Sequence, residues 1–287
     1  MKNKHILFLA ALFSILTVTS SCNKTPGSVE PKFDTPAYAE YAQKLSVTES
    51  EADIAWMEFT EAGRYIIAYR NWPNGTKAVG EPEEHYYYVT GTYTVSGSDT
   101  YVLSGFGTVE VSGNAVTIEP EHGDTVTMTV TTEPSVEDTP LNDNVARSWK
   151  IDNVRLGITT GSGVTVNVTK QGCDIHAIAA ELKDKGVNVD PDTFEGFIVK
   201  EITFTKSSTF MISFTQKNPY VGGYTLSNDG KFHCELDGAS QEIFYNGTMD
   251  GNVTFEGNTL IFTVNLTVSN GEVTRNGTAV FFMSEAV

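Results

Sequence analysis

One hairpin is written twice in this chain, and that constrains the fold more than any other feature. Residues 57–69 read MEFTEAGRYIIAY and residues 202–214 read ITFTKSSTFMISF. In each copy large apolar residues recur at every second position on both sides of a short polar turn, which is the period of a strand. Phe59, Tyr65, Ile67 and Tyr69 of the first copy match Phe204, Phe210, Ile212 and Phe214 of the second at a spacing of 145 residues. Residues 88–94 (YVTGTYT) are then echoed by 220–225 (YVGGYT), and 109–114 (VEVSGN) by 253–258 (VTFEGN). The spacing drifts between these matches while the strand pattern is kept, as expected when loops absorb length and strands hold register.

A length of 287 residues suits two domains, and 40% hydrophobic with 19% charged residues is the balance of packed protein. The expected fold is mainly β: two antiparallel meander domains, each a barrel or a β-sandwich, each with one short helix. In the first domain, residues 35–132, Tyr38, Tyr41, Ala42 and Leu45 follow a Thr35-Pro36 start at helical spacing. The second domain covers 146–287. There Asp174 is placed to cap a helix carrying Ile175, Ile178, Ala179 and Leu182 on one face, and Gly186 to end it. Between the domains, 133–145 is rich in proline and acid and reads as a linker.

The first residues address the chain to a membrane. Lys2 and Lys4 precede an apolar run over 6–16, and Cys22 follows Thr19-Ser20-Ser21. That arrangement resembles the lipobox of bacterial lipoproteins, which implies a signal peptide over 1–21, acylation of Cys22 and a tether over 22–34. Asn23 in place of Asp implies, by the same resemblance, an outer-membrane lipoprotein of the cell envelope; which face it occupies is left open. The second domain resembles the lipocalin-like domains of Bacteroidetes lipoproteins. Trp149-Lys150-Ile151, Ile202-Thr203-Phe204, Phe210-Met211-Ile212 and Gly223-Tyr224-Thr225-Leu226 carry this resemblance. It implies a β-barrel or sandwich able to hold a small ligand.

A formal charge of −17 and the lack of any basic run argue against nucleic acid as a partner. Outside the leader, His85, His122, His176 and His233 are too scattered for a metal pair, and no nucleophile-elbow or phosphate-loop motif occurs. Residues 188–195 place oxygen side chains at alternate positions but lack the glycine and closing glutamate of a calcium loop, so they read as a helix-to-strand linker. No enzyme activity, metal or cofactor is expected.

Trp72 and the run Tyr86, Tyr87, Tyr88 form the candidate ligand-binding face for a small apolar or carbohydrate ligand, since flat rings with a polar tip stack on such surfaces. The alternative is an edge strand whose rings pack under a loop. Cys173 and Cys234 form a possible disulfide, the alternative being two buried thiols. The expected function is a non-catalytic ligand-binding module; the alternative is a structural or assembly protein docking onto an envelope protein. Function is expected where the two copies differ, in residues 71–84 and 232–250.

Overall fold

The structure is a computed structural model that describes residues 31–50, 52–70, 86–135, 139–160, 162–237, 248–269 and 274–286. Its first unit is a closed barrel of eight antiparallel strands in sequence order. These are β1 (Gln43–Ser50), β2 (Ile54–Phe59), β3 (Arg64–Tyr69), β4 (Tyr87–Val95), β5 (Thr100–Leu103), β6 (Gly107–Ser112), β7 (Ala115–Pro120) and β8 (Val126–Thr132). Pairing of β1 with both β2 and β8 closes the ring. A closed barrel leaves no unpaired edge, which separates this fold from the sandwich that the sequence left open.

The second unit begins with α1 (Pro140–Val145), capped by the Thr139 side chain. Its strands are β9 (Ser148–Thr159), β10 (Thr165–Gln171), β11 (Cys173–Asp174), β12 (Ile198–Phe204), β13 (Thr209–Phe214), β14 (Tyr220–Leu226), β15 (Lys231–Leu236), β16 (Thr248–Glu256), β17 (Thr259–Ser269) and β18 (Thr274–Glu285). Between β11 and β12 stand α2 (Ile175–Asp184) and a single 3-10 turn, Pro191–Phe194. Pairing of β9 with both β18 and β12 closes a second ring of eight strands, with β10 and β11 outside it.

The two rings correspond strand for strand. The turn from Thr60 to Arg64 and the turn from Thr205 to Thr209 carry the same hydrogen bonds: Thr60 N–H to Arg64 O and Thr205 N–H to Thr209 O, Arg64 N–H to the Thr60 hydroxyl and Thr209 N–H to the Thr205 hydroxyl. Gly63 and Ser208 occupy the same left-handed conformation, with φ of 69° and 62°. Tyr93 donates its hydroxyl to Thr60 O at 2.9 Å, and Tyr224 donates to Thr205 O at 2.8 Å. What the second ring adds is the segment between β9 and β12, whose counterpart in the first ring is only the short connection from β1 to β2.

Two expectations are corrected here. The helix proposed from Thr35 onward is not formed: Ala39 N–H to Pro36 O and Tyr41 N–H to Tyr38 O make one tight turn, and β1 follows. Tyr38, Tyr41 and Leu45 do pack on the first core, but the chain here must supply the closing strand, and pairing with two neighbours outweighs a marginal helix. Both α-helices therefore belong to the second unit, and one of them, α1, lies inside the stretch read as a linker. The tether also ends in structure: Lys32 exchanges two backbone hydrogen bonds with the Asn258 side chain, and Phe33 meets Trp149 edge-on at 5.5 Å.

The interior of the first barrel is filled. Phe59 stacks on Tyr101 at 3.9 Å, Tyr93 meets both edge-on, and Leu103, Val109, Val116 and Met128 complete the packing. In the second barrel Phe204, Phe210, Phe232 and Phe262 make a cluster of rings near the Thr205 turn, edge-on except for the tilted Phe210–Phe232 pair, and Trp149 is bonded through its indole N–H to Val145 O. Such contacts add about 0.5–1.5 kcal/mol per pair to simple burial.

The barrels meet along their repeated hairpins. On β2 and β3 the residues facing away from the first core are Trp56, Glu58, Arg64 and Ile66; on β12, β13 and β14 the equivalents are Glu201, Thr203, Thr209, Met211 and Val221. Ile66, Met211 and Val221 form one buried cluster, flanked by Trp56 and Tyr88.

Candidate functional site

The segment unique to the second barrel roofs an apolar opening at one end of its interior. Asp174 caps α2 by accepting from Ala177 N–H at 3.1 Å, and Gly186, with φ of 84°, turns the chain after its end. Outside, Glu181 bridges Lys170 of β10 and Lys185, which holds the helix against the flanking strand. Those two ammonium groups keep the Glu181 carboxyl below its usual range. Inside, Ile178, Ala179 and Leu182 are buried. After α2, Val187, Val189 and Phe194 fold back underneath it.

Between this apolar layer and the barrel lies a cavity of about 130 Å³. Its barrel wall consists of Val154, Leu156 and Ile158 of β9, Leu266 of β17, and Ala279 and Phe281 of β18; its roof is Ile175, Ile178, Ala179 and Leu182. The lining has one titratable group, Cys173, whose thiol is pushed up to about 12 by burial. A wall of this kind offers dispersion contact and exclusion of water, with no acid, base or nucleophile active near neutral pH. The cavity is at the opposite end of β9 from Trp149 and the docked Phe33, and its Phe281 ring lies 6.0 Å from Phe262 of the aromatic cluster.

The sequence-selected residues fall elsewhere. Cys22 and Trp72 lie outside the described residues, as do all of 71–84 and residues 238–247 of the stretch 232–250. Tyr86 and Tyr88 are drawn into the seam between the barrels: the Tyr86 N–H and the Tyr88 hydroxyl both donate to Asp237 Oδ2 at 2.8 Å, and Tyr88 packs on Trp56 at 5.9 Å. Burial against Asp237 pushes the Tyr88 phenol up, so it remains a donor. Tyr87 pairs with Tyr69 and has the opposite parity, so the three tyrosines do not form one face.

Cys173 and Cys234 are free, buried thiols and not a disulfide. Cys173 is on β11 and Cys234 on β15, and β12, β13 and β14 intervene along the sheet. Burial raises the Cys234 thiol as well.

The face of α2 that roofs the cavity was legible as an apolar stripe, but that stripe alone does not distinguish packing from lining. Leu156, Val187, Phe194 and Phe281 had no signal of their own. The available signal was length: 38 residues separate β9 from β12 against three between β1 and β2. Matching α2 to the supposed first helix concealed that difference. Among the described residues no helix is long and apolar enough to cross a membrane. Comparison of the chain with protein-family models, with curated proteins and with solved structures finds no match.

Proposed function

We propose that this chain is a lipid-anchored, non-catalytic cell-envelope protein whose second barrel binds a small, uncharged apolar ligand under α2. The observation that carries the reading is the wholly apolar cavity of about 130 Å³ roofed by the one segment that the first barrel lacks. Apolar cavities of about 150 Å³ accept benzene or xenon, which sets the scale: a single ring, a short branched chain, or the end of a longer one. The absence of polar groups from the wall favours an uncharged ligand, because a charge placed there would find no partner.

The anchor follows from the sequence around Cys22, and Lys32 is held at the end of the second barrel away from the cavity. Ten residues span at most about 36 Å when extended. An acylated Cys22 therefore tethers the Trp149 end near the bilayer and directs the α2 end away from it. Docking onto an envelope protein is the second reading, suited to the first barrel, whose interior is packed with aromatic and aliphatic side chains.

The test is a benzene titration of methyl-labelled protein followed by NMR. Saturable shifts at Ile158, Ile178 and Leu182 are expected, and Ala179→Leu, which fills the cavity, abolishes them. Absence of saturation up to the solubility of benzene, or the same shifts in Ala179→Leu, overturns the reading.

A further inference from the structure

The seam between the barrels buries three carboxyl groups, and two of the three cations beside them are shared with other groups. Glu58 on β2 is 1% exposed, Glu61 in the following turn 5% and Glu201 on β12 6%. Arg64 pairs with Glu201. Neither Glu58 oxygen has a hydrogen-bond partner, and Glu61 Oε2 has none. The groups that favour a charged Glu58 are Lys44 of β1 and the hydroxyls of Thr205 and Thr209. Lys44 is shared, since its Nζ also donates to the Thr209 hydroxyl at 3.0 Å and lies 4.5 Å from the Trp56 ring centre.

Glu61 Oε1 accepts from Lys206 N–H at 3.2 Å, while the Lys206 ammonium is held by Asp143 of α1 at 2.7 Å. The phenols of Tyr93 and Tyr224 are the remaining titratable groups facing this pair, and both are engaged as donors to backbone oxygens. Burying carboxylates with this little compensation is costly, and protonation removes the charge.

We propose that the seam is a proton-linked latch, in which the barrels dock tightly when Glu58 and Glu61 are neutral and loosen their contact when both ionise. Burial raises both carboxyls, Glu61 from 4.5 to about 7, with repulsion from Glu58 adding to it and Lys206 opposing it. Between about pH 4.5 and 7 the docked state thus holds a proton on Glu61 that the separated state has released, and the shift at Glu58 has the same sign. Docking is strongest below that window and is lost progressively as pH rises through it.

Met211 reports the seam directly, being 1% exposed between the barrels, while Met57, Met128 and Met283 are buried inside them. Peroxide oxidation of the full chain, read by peptide mass spectrometry, is expected to convert Met211 to its sulfoxide about tenfold faster at pH 8.5 than at pH 5.5, with the three interior methionines unchanged. Replacing both acids, Glu58→Gln with Glu61→Gln, keeps Met211 slow at both pH values. Equal Met211 rates at the two pH values in the natural chain overturn the proposal. So does pH dependence that survives in the double variant, or a rise in which the interior methionines oxidise alongside Met211, since that marks general unfolding.

Discussion

Glu61 accepts a hydrogen bond from the backbone N–H of Lys206 at 3.2 Å, and the two residues hold the same position in the two copies of the hairpin. Ile66 and Met211, also equivalent, share the buried cluster beside them. Contact between equivalent positions is the mark of a two-fold relationship, as at the interface of a symmetric dimer. The repeated hairpin thus does two jobs: one face of each strand fills its own barrel, and the other face meets its twin.

The paired tyrosines test the independence of the two barrels. Tyr93→Phe and Tyr224→Phe each remove one hydroxyl donor, yet Thr60 O and Thr205 O keep their bonds from Gly63 N–H and Ser208 N–H. Each change is expected to cost about 1 kcal/mol in denaturant unfolding, because no acceptor is orphaned. The effects should add in the double variant, the sites being in separate cores. Coupling above about 0.5 kcal/mol contradicts this.

The two turns respond oppositely to exchange of their fourth residue. Ser208 holds a left-handed conformation that glycine adopts without a steric penalty, so Ser208→Gly should be neutral or stabilising by up to about 1 kcal/mol. Gly63→Ser places a Cβ about 2.8 Å from Tyr38 Cε2 in the same conformation, and a loss of about 2–3 kcal/mol is expected. Thermal melts of the two variants decide it; a tolerated Gly63→Ser would mean that the Tyr38 turn does not pack where it is described.

The buried thiols make a chemical prediction. Burial pushes Cys173 up to about 12 and raises Cys234, so neither is expected to react with iodoacetamide in the folded protein at pH 8. Both react once the chain is unfolded in denaturant without reductant. A pair that resists alkylation under those conditions until reduced would be a disulfide, contrary to the structure.

Much of the architecture was legible because strands announce themselves by parity. Phe59, Tyr65, Ile67 and Tyr69 stand at strand spacing on one face, and all four pack on the first core. Parity does not say what covers the other face: the apolar Ile66 on it marked a covered surface without naming the cover, and Glu58 gave no sign of the seam. The helical spacing of Tyr38, Tyr41 and Leu45 misled because a tight turn followed by an alternating strand buries the same three side chains. Tyr86 and Tyr88 read as a ligand face because their partner, Asp237, lies 149 residues or more away in sequence. The cavity was hidden for a similar reason: its wall combines β9, β17 and β18 with α2, and only the closed ring brings them together.

Xenon binding in crystals of the protein under gas pressure tests the central claim most directly, since xenon needs only an apolar space of suitable size. The account predicts one well-occupied site between Leu156, Ile178 and Phe281, lost in Ala179→Leu. An empty cavity under α2, or xenon bound only in other parts of the molecule, would contradict it.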